Sequence, residues 1–169
     1  MRDGVRPTAA RVRDALFNRL GARIDGAAVL DLFAGTGALG LEALRRGAEQ
    51  VVFVEVDPRR ARAIRLALPR PGPGNRAEVC CEDVLAAVAR FGRAGRVFDL
   101  IMMDPPYGRR WLPRTLEAIV EAGVLAPDGL IVAEGHWRDR PEVPAGLVVE
   151  REARYGETRL WFIRPGAGQ

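Results

Sequence analysis

A chain of 169 residues, 48% of them hydrophobic, can bury a substantial core within one ordinary domain, and its 26 basic residues exceed its 22 acids by only four. No run approaches the roughly 18 apolar residues of a membrane-spanning helix, and Met1-Arg2-Asp3-Gly4 lacks the apolar centre of a signal peptide, so the chain is expected in the cytoplasm with no membrane partner. Every basic residue is arginine, which grips phosphate bidentately and stacks on bases, but so small an excess is equally a compositional bias carried on solvated faces.

Thr8 to Leu20 sets Val12, Ala15, Leu16 and Leu20 at helical spacing and stops at Gly21, which predicts a leading helix. Short apolar runs then alternate with arginine-rich helical stretches. The runs are Ala28 to Leu32, Val51 to Val56, Ala77 to Cys81, Phe98 to Met103 and Leu130 to Ala133. The helices fall near Leu39 to Arg46, Pro58 to Leu68, Val84 to Phe91 and Leu112 to Ala122. This alternation predicts βαβ units and a mostly parallel sheet with helices on both faces. Pro69 to Asn75 is a turn-rich connector, and Leu147 to Arg154 and Thr158 to Arg164 flank Tyr155-Gly156-Glu157 as an antiparallel hairpin on the sheet. The reading is a single α/β domain over 1–169, with a leading segment and helix over 1–21 and a seven-stranded Rossmann-like core over 28–164. Cys80 and Cys81 are adjacent on one strand, so their side chains point to opposite faces; both read as core residues.

Between the first strand and its helix lies Asp31-Leu32-Phe33-Ala34-Gly35-Thr36-Gly37-Ala38-Leu39-Gly40, a glycine turn where such a sheet holds a nucleoside cofactor. Gly35 and Gly37 admit backbone angles closed to other residues, and Gly40 allows helix and strand to pack closely. Glu55 follows Gly35 by 20 residues, the spacing of a carboxylate that accepts ribose hydroxyls. Gly35-x-Gly37-x-x-Gly40 also satisfies the dinucleotide fingerprint. Asp31 argues against that ligand, since a carboxylate beside the loop repels a pyrophosphate, whereas it helps hold the cationic end of S-adenosylmethionine, directly or through water. Phe33, in the same loop, is a further candidate cofactor contact. Asp83 either accepts from an adenine amino group or caps the helix that starts at Val84.

Asp104-Pro105-Pro106-Tyr107 follows the fourth strand, beside the crevice of the glycine loop. An exocyclic amine on a base is a poor nucleophile because its lone pair is delocalised. Acceptors on its two N–H groups, here the Asp104 side chain and the Pro105 carbonyl, favour the tetrahedral nitrogen that a methyl transfer requires. The prolines stiffen the loop and remove competing donors, and Tyr107 can stack on a flipped-out base. No metal site is expected, because the only histidine is His136, read as a surface or packing residue, and the cysteines lack ligand spacing.

With these residues in view the chain resembles the RsmD-type ribosomal RNA methyltransferases. Arg6-Pro7-Thr8, Arg13, Leu16-Phe17-Asn18, Asp31 through Leu44, Glu55-Val56-Asp57, Asp104 to Tyr107 and Tyr155 to Leu160 carry the likeness. The resemblance implies a class I fold and transfer of a methyl group from S-adenosylmethionine to N2 of a guanine in small-subunit ribosomal RNA, leaving S-adenosylhomocysteine, with no metal. It implies cofactor contacts at Asp31, Gly35, Gly37, Glu55 and Asp83, a catalytic loop over Asp104 to Tyr107, and closure of the pocket by Thr8 and Arg13. Only five residues precede Arg6 where the family carries a basic segment, so either the chain is truncated or part of the RNA surface is missing. Arg6, Arg11, Arg13, Arg109 and Arg110 form the expected phosphate-contacting rim. A monomer acting on a small-subunit assembly is the expected arrangement. The same acceptor geometry also suits adenine-N6 or protein glutamine-N5 methylation, and a nucleotide-binding module without catalysis is the alternative of a different class. An NAD dehydrogenase would need a second domain to present its substrate.

Overall fold

The computed structural model describes residues 7–70 and 76–167, the side chains of Pro7 and Thr8 excepted. Arg6 and the connector from Pro71 to Asn75 lie outside the described residues. Helix α1 (Pro7–Leu20) leads into strand β1 (Ala28–Leu32). There follow α2 (Ala38–Arg45), β2 (Gln50–Val54), α3 (Pro58–Ala67), β3 (Arg76–Cys80), α4 (Val84–Arg93), β4 (Phe98–Met103), α5 (Trp111–Ala122), β5 (Leu125–His136), β6 (Leu147–Tyr155) and β7 (Thr158–Pro165).

The strands form one seven-stranded sheet in the order β3-β2-β1-β4-β5-β7-β6. The first five run parallel, and β7 pairs antiparallel with both β5 and β6. Alternation along each strand sorts the core into two layers, because successive side chains point to opposite faces. Val29, Val51, Phe53, Leu100 and Met102 pack with Leu16 and Phe17 of α1, Ala43 of α2 and Ile64 of α3. Leu30, Leu32, Val52, Val54, Ile101 and Met103 face the other way, toward Val88 and Phe91 of α4 and Leu116 and Ile119 of α5. The strand order reverses between β1 and β4, and the crevice outside their carboxyl ends is where a doubly wound sheet binds ligands.

Helix boundaries depart from the sequence expectation by only a residue or two, and side-chain caps mark two of the starts: Asp57 accepts the Arg59 N–H at 2.8 Å at α3, and Asp83 caps α4. Strand β2 stops at Val54, leaving Glu55 and Val56 beyond it. Strand β3 stops at Cys80, so Cys81 is exposed rather than a core residue, and its thiol approaches the Val56 carbonyl at 3.7 Å. The largest difference is β5, expected over Leu130 to Ala133 and observed over Leu125–His136. Its extension past Ala133 is held by pairing of Glu134, Gly135 and His136 with Leu160, Arg159 and Thr158 of β7.

Gly40 marks the closest approach of α2 to the sheet. A Cβ there would lie 2.3 Å from Cε1 of Phe53, whose ring is fully buried. Alanine would add up to about 1 kcal/mol of helix propensity but force an overlap whose cost runs to about 1–3 kcal/mol. Gly40→Ala should therefore lose about 1–2 kcal/mol in urea denaturation. Stability equal to or above that of the parent chain would mean that the ring has room to move.

Candidate active site

Two short loops meet at the switch point. After β1 the chain turns through Phe33, whose φ of 57° lies in the left-handed region that non-glycine residues avoid, and then Gly35 and Gly37, with φ of 59° and 79°. The turn is held by Glu55, which is 5% exposed. Its Oε1 accepts the Gly35 N–H at 2.8 Å and its Oε2 accepts the Asp57 N–H at 2.8 Å, so one carboxylate pins the loops after β1 and β2 together. Each oxygen keeps a second lone pair for a ligand.

These loops border a cavity of about 700 Å³, a size typical of small-ligand sites. Phe33, Gly35, Thr36, Val54, Glu55, Val56, Asp83 and Val84 form one side of it, and Asp104, Pro105, Pro106, Tyr107, Trp111, Glu134, Gly135 and Thr158 the other. The glycine loop, Glu55 and the Asp-Pro-Pro-Tyr tetrapeptide, widely separated in sequence, thus share one space. Tyr107 is 81% exposed at the mouth, an apolar ring facing water. Phe33 meets Trp111 edge-on, ring centroids 5.6 Å apart.

Asp83 both caps and lines: its Oδ2 accepts the Ala86 N–H at 3.0 Å at the start of α4, and the residue borders the cavity. Asp31 takes a different place. It is 2% exposed and stands behind the cavity wall, where Oδ2 accepts the Gly40 N–H at 3.0 Å and fixes the first turn of α2 to β1. Burial pushes its carboxyl up to about 8, against the lowering effect of the Gly40 N–H, and the charges of Asp104 and Glu55 add to the rise. Gly37 shapes the turn at the start of α2 without lining the cavity. Among the expected rim residues, Arg11 and Arg109 are exposed, the half-buried Arg13 directs its charge toward Glu42 of α2, and Arg110 pairs with Glu142 at 2.5 Å. Arg6 and the side chain of Thr8 lie outside the described residues. His136 is half-buried and its Nδ1 accepts the Arg138 N–H at 3.1 Å, a local structural role.

The lining also includes Arg60, Trp111, Glu134 and Thr158, polar or aromatic residues to which the sequence reading gave no part in the site. Glu134 carried a signal, because it closes the β5 run as Asp104 closes that of β4. Burial raises both acids, Asp104 to about 6 and Glu134 to about 7, the latter further raised by the charge of Asp104. Asp104 stays exposed at the crevice mouth as a residue, yet the walls strip enough water from its carboxyl to produce this rise.

Two observations suit the cavity to S-adenosylmethionine. A Cβ on Gly35 would meet only the Phe33 carbonyl, at 3.9 Å, so the main chain there is open to a ligand. The free lone pairs of Glu55 stand where ribose hydroxyls need acceptors. A switch-point crevice with a nucleoside-accepting acid on one side and a stiff loop of acceptors on the other belongs to the Rossmann-like, S-adenosylmethionine-dependent methyltransferases, and the chain is of that class. Residues 1–164 match the family described as Conserved hypothetical protein 95. The chain is 36% identical over 155 residues to the Ribosomal RNA small subunit methyltransferase D of Escherichia coli K12, covering 91% of this chain and 76% of that one. It is 34% identical over 140 residues to the Haemophilus influenzae protein of the same name, covering 82% and 72%. The solved structure of a hypothetical protein from Thermus thermophilus superposes with a TM-score of 0.78 at 30% identity, covering 97% of this chain and 91% of that one. The chain belongs to this family, the RsmD-type methyltransferases.

Two outcomes are expected. Asp31 holds a proton when folded that the unfolded chain releases, so it makes stability fall as pH rises from about 4 to about 8 and level off above. Asp31→Asn keeps an acceptor for Gly40 and should flatten that part of the melting-temperature profile; identical slopes in both proteins would mean that Asp31 ionises freely. Glu55→Ala should weaken S-adenosylmethionine binding by roughly 1.5–3 kcal/mol in calorimetry. Unchanged affinity in a folded variant would remove Glu55 from the cofactor site.

Proposed function

We propose that the protein transfers a methyl group from S-adenosylmethionine to the exocyclic N2 of a guanine in small-subunit ribosomal RNA. The observation that carries this reading is the common cavity of Glu55 and the Asp104 to Tyr107 loop. The ribosomal substrate follows from the family, whose Escherichia coli and Haemophilus influenzae members are named for it.

When bound, S-adenosylmethionine supplies an electrophilic methyl group. The chain's own residues prepare the nucleophile. Tyr107 offers an exposed ring on which a base swung out of its stack can rest. The Asp104 carboxylate and the Pro105 carbonyl accept the two amino N–H bonds. Those bonds strengthen as the nitrogen becomes tetrahedral and positive, so they act on the transition state. Asp104 then takes up the proton the nitrogen sheds, a task suited to a carboxyl raised to about 6. Phe33 and Trp111, in edge contact, keep one wall of the reacting space apolar. Asp31 contributes through the loop it anchors, its carboxyl standing behind the cavity wall with its proton kept to about pH 8.

Arg11, Arg109 and Arg110 supply phosphate contacts outside the cavity, with Arg110 exchanging Glu142 for RNA. Such contacts position the enzyme without selecting a base and weaken with salt, so a folded ribosomal RNA site, in an assembling small subunit, is the favoured substrate. Labelled cofactor offered to small subunits lacking the modification, naked ribosomal RNA and duplex DNA should give N2-methylguanine in the ribosomal samples. N6-methyladenine in DNA with no N2-methylguanine in RNA would overturn the substrate. In the same assay Asp104→Ala should abolish most turnover with cofactor affinity nearly intact, and Asp104→Asn, still an acceptor, should retain more. Equal rates in wild type and both variants would refute the role of Asp104.

A further inference from the structure

The parallel register of β4 and β5 sets Met103 beside Ala133, so Asp104 and Glu134 are the next residues of two neighbouring strands. Strands in a sheet lie about 4.8 Å apart, which places the two acids side by side at the crevice. Glu134 borders both the main cavity and an adjoining groove of about 300 Å³ walled by Pro105, Tyr107, Arg110 and Trp111. Tyr107, too, borders both.

Glu134 is half-buried, whereas Glu49, Glu117, Glu121 and Glu157, also without an ion pair among the described residues, are exposed. Glu42, Glu78, Glu82, Glu142 and Glu152 all pair with arginines. The half-buried carboxylate of Glu134 meets no donor among the described residues. Arg110 is engaged with Glu142, and Arg159, which pairs with Gly135 across the strands, with Glu152, while Arg60 and Arg140, which border the same cavity and groove, make no ion pair with Glu134. Burial first, and then the neighbouring charge of Asp104, raise the proton affinity of Glu134. Two adjacent acids without an ion pair gain most from a ligand that brings two adjacent donors.

Guanine is such a ligand. Its Watson–Crick edge carries the N1–H donor next to the N2 amino donors, whereas adenine presents a bare N1 acceptor beside its amino group. We propose that Glu134 selects the target base, accepting the N1–H of guanine while Asp104 accepts the neighbouring N2 amino group. This inference rests on the guanine-N2 reading above. Glu134 thereby becomes a specificity residue: it touches the base but not the reacting nitrogen, and it turns away any base whose N1 is a lone pair.

2-Aminopurine tests this, because it keeps the 2-amino group and lacks the N1–H. Small-subunit RNA ligated with guanine or 2-aminopurine at the mapped position is methylated by wild type, Glu134→Gln and Glu134→Asp, and kcat/KM is compared. Assayed at a pH above the value of about 7 to which Glu134 is raised, wild type should favour guanine by about a hundredfold or more, because a carboxylate facing a lone pair is left unpaired. Glu134→Gln, whose amide donates to N1 of 2-aminopurine, should reduce that preference at least tenfold. Glu134→Asp keeps the charge and should keep the preference at a lower rate. Calorimetric affinity for S-adenosylmethionine should stay within about twofold in both variants, the measure of an intact cofactor site. The same guanine preference in Glu134→Gln as in wild type, with N2-methylguanine as the product, would overturn the role of Glu134 and leave the base reading standing. A wild-type product other than N2-methylguanine would overturn both.

Discussion

The site depends on a single carboxylate spent on two backbone amides. Glu55 holds the turn after β1 and the start of α3 at fixed separation, one oxygen for each. Charge-assisted bonds of this kind are roughly twice as strong as neutral ones, and a buried carboxylate without them would be severely destabilising. The strained φ of Phe33 is tolerable because the turn is clamped a residue or two further on. The acid that a nucleoside would find is thus also the acid that builds its binding place, so organisation and recognition cannot be separated at this position.

A second constraint comes from two faces of one strand. Leu30 and Leu32 feed the layer under α4 and α5, while Asp31 between them points to the side of α2. There its only donor among the described residues is a backbone amide, which explains a carboxyl that keeps its proton to about pH 8. The crevice therefore gathers three acids with raised affinity for protons, Asp31, Asp104 and Glu134, where a cationic cofactor and an amine-bearing base would meet. Acids gather here although the chain as a whole is slightly basic. Net charge conveyed nothing of this, because field at a site is set by which groups share a cavity.

Most of the framework was legible in the chain. Helix starts at α3 and α4 follow from the caps Asp57 and Asp83, and strands from short apolar runs that alternate with helical stretches. The glycine turn, Glu55 and the Asp-Pro-Pro-Tyr loop each sit at a strand end, and parallel sheets bring strand ends together, so their meeting could be expected. What escaped depends on partners distant in sequence. Periodicity ends β5 at Ala133, because the next residues are held extended only by β7, and Glu134 was lost with them. Trp111 fell just before the helix expected from Leu112, and only the structure finds Phe33 against its ring. Cys81 was misplaced for the converse reason: β3 ends one residue earlier than its apolar run suggests.

The order β5-β7-β6 has a consequence for biosynthesis. The last described strand in the sequence is an interior strand in space: β7 separates β5 from β6 and supplies the wholly buried Trp161. A growing chain can assemble its parallel strands as they emerge, but β6 has nothing to pair with until β7 slides in between. Until then the far end of β5, with Glu134, has no scaffold. The part of the site built from this edge therefore forms only after β7 has left the ribosome. A nascent chain, surrounded by the very class of RNA its family modifies, carries the glycine loop and the Asp-Pro-Pro-Tyr turn long before it carries a complete base pocket.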